Sequence, residues 1–116
     1  MTVRRVVANI AVPDIGPARA FYGDILGMDV VMDLGFIATF ASEESMTPQV
    51  SFATEGGSGT PVPDLSIEVD DLDAVLDRVR RAGHAIVYGP VDEPWGVRRF
   101  YVRDPFGRLV NILRHL

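Results

Sequence analysis

Apolar and polar residues alternate in short runs along this chain, and twice the spacing lengthens to that of a helix. In "RVVANIAVPDI", Val6, Ala8, Ile10 and Val12 alternate with Val7, Asn9 and Ala11, a period of two that predicts a strand with one apolar face. Pro13-Asp14 ends the run. Asp14 is a good helix N-cap, Pro17 is tolerated in a first turn, and Ile15, Ala18, Phe21, Tyr22, Ile25 and Leu26 recur at helical spacing until Gly27. "MDVVMDL", "FIATFAS" and "PQVSFAT" follow as three strand-like runs separated by polar turns.

The second half repeats this order. "DLSIEVDDL" sets Leu65, Ile67 and Val69 against Asp64, Ser66 and Glu68, and Asp70 or Asp71 caps a helix whose stripe is Leu72, Val75, Leu76, Val79 and Ala82. Acidic residues in its first turn and Arg78, Arg80 and Arg81 in its last suit the helix dipole, and Gly83 ends it. "HAIVYGP", "VRRFYVR" and "RLVNIL" supply three more strands. Each half is thus β-α-β-β-β. Between them "TEGGSGTPVPD", Thr54 to Asp64, reads as a linker or long turn. Neither half can bury its sheet face alone, so the halves, or two chains, must pack together. The 116 residues suit a single α+β domain of two βαβββ modules, about 1–55 and 64–116, joined by 56–63.

Composition narrows the function. With 47% hydrophobic and 23% charged residues the chain has the make-up of a soluble globular protein, and no apolar run is long enough to span a bilayer. The N-terminal segment reads better as a strand than as a signal peptide. A net charge of −5 argues against a nucleic-acid partner. Absence of cysteine removes disulfides, thiolate metal sites and a cysteine nucleophile, and the simplest compartment is the cytoplasm. No G-x-S-x-G motif occurs, and "GGSG" is no phosphate loop because neither lysine nor helix follows it. His84, just past a helix stop, and His115, the penultimate residue, match no ligand spacing and read as structural or surface residues.

"AVPDIGPARAFYGDILGM", "DLSIEVDDLDAVLDRVRRAG" and "FYVRDPFGRLVNIL" stand in an order that resembles the vicinal oxygen chelate superfamily, with glyoxalase I, extradiol dioxygenases and the fosfomycin- and bleomycin-resistance proteins. The likeness covers nearly the whole chain. It implies paired βαβββ modules whose curved sheets form a cup. In metal-using members four ligands, mostly His, Glu or Gln, project into that cup. The corresponding positions here are Val7, Ser51, Asp64 and Asn111. Of these only Asp64 is a strong ligand and imidazole is absent, so the expectation is a cup without metal. The alternative is an oxygen-only site around Asp64, Glu68 and Asn111 for a hard cation such as Mg²⁺ or Mn²⁺.

Alternation also chooses the side chains that enter the cup. If Ala8, Ile10 and Val12 and then Leu65, Ile67 and Val69 lie under the helices, the cup receives Val7, Asn9, Ala11 and Asp64, Ser66, Glu68. Arg99, Tyr101 and Arg103, and Leu109, Asn111 and Leu113, follow from the later strands. Trp95, the single tryptophan, lies between Pro94 and Gly96, where it either closes over a flat ligand or covers one end of the core. Asp64 and Glu68 face a cationic ligand or, as strand carboxylates commonly do, pair with Arg98, Arg99 or Arg103.

The candidate ligand-binding residues are therefore Asn9, Ser51, Asp64, Ser66, Glu68, Trp95, Arg99, Tyr101 and Asn111, with no catalytic centre among them. These residues favour a metal-independent, non-catalytic protein of the bleomycin-resistance kind that binds a small aromatic or amide-rich molecule. The alternatives are a divalent-metal-dependent lyase, isomerase or dioxygenase of the same superfamily, or an accessory domain acting through its dimer surface. Exposed sheet edges and a small core are problems for a monomer, and the resemblance implies modules that pair across two chains. The expectation is a two-fold homodimer, each cup lined by both chains and Trp95 near its mouth, with a linker that allows either intrachain or swapped pairing.

Overall fold

Asp14 ends the first apolar segment but stands just outside the helix it was expected to cap. Its carboxylate accepts the Gly16 N–H at 3.1 Å, while Ile15 takes the N-cap position. Helix α1, Gly16–Ala18, carries Pro17 in its first turn and runs straight into a π-helical stretch, Arg19–Ile25. Its widened turns show in the bond from Leu26 N–H to Phe21 C=O at 3.1 Å, five residues back. Phe21 and Ile25 are the buried residues of this stretch.

The computed structural model describes residues 1–2 and 4–116, and the chain divides into two compact units, Met1–Thr54 and Glu55–Leu116. In the first unit the helix leads to an antiparallel hairpin, β1 (Asp29–Asp33) and β2 (Ala38–Ala41), whose register slips between Val30 and Met32. Asp33 closes its turn by accepting the Gly35 N–H at 2.9 Å, and it also receives Arg19. The backbone bond from Gly35 and then the Arg19 bond hold the Asp33 carboxyl below its ordinary value.

The two other strands expected in this half differ from expectation. Among the described residues, the segments 4–12 and 48–54 join no ladder. Val6, Val7, Val50 and Phe52 remain exposed, Phe52 at 93%. Alternation created the apolar face, but a strand also needs a neighbour to receive its N–H and C=O groups.

The second unit follows the expected plan in full. β3 (Leu65–Glu68) leads to α2 (Leu72–Arg81), then β4 (Ile86–Glu93), β5 (Val97–Arg103) and β6 (Leu109–His115). Of the two candidate caps it is Asp71 that starts α2, accepting the Ala74 N–H at 3.0 Å. Gly83 follows the C-cap with a φ of 83°, the left-handed turn that glycine adopts without strain. The sheet order is β3-β6-β5-β4, with β3 parallel to β6 and the other pairs antiparallel.

Leu72, Val75, Leu76 and Val79 are the buried residues of α2, as their spacing predicts, whereas Ala82, expected in the same stripe, is the C-cap and is exposed. Phe100, Val102, Val110 and Ile112 are fully buried on one sheet face. Burial of these side chains, at about 1.5–3 kcal/mol each, is the main force holding the unit together. The α+β architecture is that of the expected fold. No helix among the described residues is long and apolar enough to cross a membrane.

Candidate functional site

β-alternation sends Phe100, Val102, Val110 and Ile112 to one face of the second sheet and their neighbours to the other, the face expected to line the cup. Cross-strand register puts Ser66, Asn111 and Tyr101 in one row across β3, β6 and β5. Tyr88 of β4 is aligned with Tyr101, and their rings stand 5.5 Å apart.

One end of this face is filled by the protein itself. Arg99 is 3% exposed and spends all five of its N–H groups internally. Nε and Nη2 donate to Glu93 Oε2 at 3.0 and 2.7 Å, Nη1 to Gly56 C=O at 2.8 Å and to the Tyr101 hydroxyl at 3.0 Å, and Nη2 also to Gly57 C=O at 3.2 Å. Glu93 accepts in addition from Ser58 and Tyr88. The Tyr101 hydroxyl meets Thr60 Oγ1 at 3.0 Å and donates to Pro61 C=O at 3.2 Å. The Gly- and Pro-rich stretch between the halves is therefore a long turn pinned to β5. Burial alone would raise the Glu93 carboxyl; the bonds from Ser58, Tyr88 and Arg99 and the Arg99 charge outweigh it and hold Glu93 below its ordinary value.

Trp95 stands in the tight turn between β4 and β5, closed by Gly96 N–H to Glu93 C=O at 3.1 Å. Its ring lies on the Arg99 guanidinium, 5.0 Å from its centroid, and against Gly57. A Cβ on Gly57 would come within 2.6 Å of the indole, so glycine is what lets the ring settle there. Half of Trp95 remains exposed. The ring thus covers the buried pair and offers surface outward.

The middle of the face is different. Asn111 Nδ2 donates to Ser66 Oγ at 3.1 Å, while Asn111 Oδ1 is buried and has no hydrogen-bond partner among the described residues. Asp64 does not pair with an arginine: its carboxylate accepts the Leu109 N–H at 2.9 Å, tying β3 to the start of β6. Glu68 pairs with His115 at 2.7 Å, a surface role for that histidine. The expected arginine partners are engaged elsewhere, Arg98 with Asp92 at 3.1 Å, Arg99 with Glu93, and Arg103 with Gly107 C=O at 2.8 Å.

In the first unit, Asn9 shares a cavity of about 370 Å³ with Arg5 and Val7, opposite Val31, Met32, Ile37 and Thr39 of the hairpin region. Ser51 is exposed in the segment that joins no ladder. The second unit thus gathers Ser66, Trp95, Arg99, Tyr101 and Asn111 on or beside one sheet face, with Asp64 and Glu68 on β3 and the residue before it. Glu93, Tyr88, Ser58 and Thr60 were not anticipated. A two-residue displacement across the β4–β5 hairpin is the signal for Glu93: it pairs with Val97 and so lies diagonal to Arg99.

Of the four positions expected to hold a metal, Val7 offers no donor, the Asp64 carboxylate is engaged by Leu109, and the Asn111 amide nitrogen is directed to Ser66. No cluster of three or more His, Asp or Glu side chains with metal-binding spacing exists among the described residues.

Solved structures share this fold. A member of the glyoxalase/bleomycin resistance protein/dioxygenase superfamily from Sphaerobacter thermophilus DSM 20745 aligns with a TM-score of 0.70, 22% identity and 98% coverage of each chain. TnmS3, an antibiotic binding protein from Streptomyces sp. CB03234, aligns at 0.66 with 23% identity over 92% of this chain and 91% of its own. TioX from Micromonospora sp. ML1 aligns at 0.65 with 22% identity over 97% and 96%. The family model for the Glyoxalase/Bleomycin resistance protein/Dioxygenase superfamily matches residues 4–112, and the chain belongs to that superfamily.

Proposed function

We propose that this superfamily member is a binding protein that takes a small aromatic or amide-rich molecule in its cup without a metal and without catalysing a reaction. The observation that carries the reading is the state of the polar groups on the cup face. Arg99, Tyr101 and Glu93 are consumed in holding the 56–61 turn, and Asp64 in joining two strands, so no nucleophile, base or ligand set converges on one point. What the face still offers is a half-exposed indole and an amide, the equipment of recognition rather than of catalysis. The likeness to an antibiotic binding protein supports the same reading.

The assembly proposed with it is a two-fold homodimer. Phe36 and Phe52 are 83% and 93% exposed, and Val31, Leu34 and Val50 are also exposed, an apolar surface that a second copy of the chain would cover. β3 and β4 are the open edges of the second sheet, and unpaired edges likewise call for a partner.

Thermal unfolding with a panel of planar aromatic antibiotics tests the function. A ligand at a hundred times its Kd raises stability by about 2.7 kcal/mol, and the shift is expected to be the same with EDTA as with added Mg²⁺ or Mn²⁺. Stoichiometric metal uptake at micromolar affinity, with ligand stabilisation that EDTA abolishes, would overturn the proposal in favour of a metal-dependent enzyme.

A further inference from the structure

We infer that Asn111 and Ser66 form a subsite for a hydrogen-bond donor, an amide N–H or a phenolic O–H, carried by the bound molecule; the inference rests on the binding reading above. Asn111 is 7% exposed, yet its Oδ1 is the one buried side-chain polar atom among the described residues that has no partner. A buried acceptor left unmade is costly, and folded proteins keep few of them.

The surroundings explain why the protein cannot satisfy it. Nδ2 donates to Ser66 Oγ at 3.1 Å, which turns Oδ1 away from that hydroxyl. The neighbour across the ladder is Tyr101, whose hydroxyl is held by Thr60, Pro61 and Arg99. Arg99 has no N–H to spare. On the β3 side, Asp64 and Glu68 are carboxylates, which accept and do not donate when ionised. The strip around Asn111 therefore holds one unpaired buried acceptor, Oδ1, beside a Ser66 hydroxyl that accepts from Nδ2 and points its own hydrogen elsewhere. A molecule bound against it must bring the donor.

A site built this way rejects an analogue that lacks the donor, because the acceptor is then left unpaired in the complex as well. Two matched pairs of probes make the test: 2-naphthamide against N,N-dimethyl-2-naphthamide, and 2-naphthol against 2-methoxynaphthalene. Binding is read by calorimetry and by the fluorescence of the single tryptophan. The donor-bearing member of each pair is expected to bind about tenfold to a hundredfold more tightly. The double variant Asn111→Leu, Ser66→Ala is expected to lose that preference and, without any probe, to melt at the same temperature as the native chain or higher, since both partners are replaced by apolar groups.

Equal affinities within each pair would overturn the inference while leaving the binding reading intact. A double variant that melts several degrees lower would also overturn it, by showing that Oδ1 is satisfied in the resting protein. If the native chain takes none of the four probes or the antibiotic panel, the binding reading fails and the subsite with it.

Discussion

The two halves of this chain carry the same pattern and reach different ends. In Glu55–Leu116, four strands close into one sheet, an α-helix seals one face, and a buried ion pair locks a turn over part of the other. In Met1–Thr54, the same succession yields a helix with a π-helical stretch and a two-stranded hairpin, all five residues of β1 being exposed. The difference lies in neighbours rather than in alternation. β6 gives the second half a central strand with partners on both sides, β3 and β5. No strand serves that purpose among the described residues of the first half. A hairpin alone is marginal in water, and this one leaves apolar side chains such as Val31 and Phe36 exposed.

The largest effect expected from breaking this contrast is at the locked turn. Arg99→Ala strands the buried Glu93 carboxylate and is expected to cost the second unit about 3–5 kcal/mol in chemical denaturation. The indole, having lost its cation, should shift its fluorescence in the same experiment. Acid acts on the same pair. Glu93 has a folded-state pKa below its unfolded one, so its stabilisation is complete above the ordinary carboxylate value, about 4.3, and is lost as pH falls further through the folded value. Fluorescence and circular dichroism followed from pH 6 to pH 2 should show this loss in the native chain, and Glu93→Gln should lack that acid dependence.

Next in size is the first half's apolar surface. Phe52→Ser removes a ring that a single copy leaves exposed and a dimer would bury. It is expected to weaken association by about 1.5–3 kcal/mol, measured as a rise in the dimer dissociation constant, with little change in the melting of the second unit. Smallest is the cap of α2: Asp71→Ala is expected to lower stability by about 1 kcal/mol by denaturant titration.

What was legible in the sequence follows the same division. The stripe Leu72, Val75, Leu76 and Val79 named the buried side of α2 because helical periodicity is a local property. The alternation in β5 and β6 set the buried Phe100, Val102, Val110 and Ile112 apart from Tyr101 and Asn111, whereas the row that Ser66, Tyr101 and Asn111 share depends on strand register, which alternation does not give. The pairing of charges was not legible. Asp64 and Glu68 were matched with arginines by type, whereas the turn Pro94-Trp95-Gly96 decides that Arg99 meets Glu93. The π-helical turns at Arg19–Ile25 and the unladdered segments 4–12 and 48–54 also escaped, since they depend on what each segment packs against rather than on its own spacing.

Sedimentation equilibrium of the full chain at micromolar concentration tests most directly the claim that the first half is completed by a second copy. The account predicts a dimer of about 25 kDa, twice the 12.7 kDa chain, and protection of the amides in 4–12 and 48–54 from hydrogen exchange under the same conditions. A 12.7 kDa monomer whose first-half amides are nonetheless protected would contradict it.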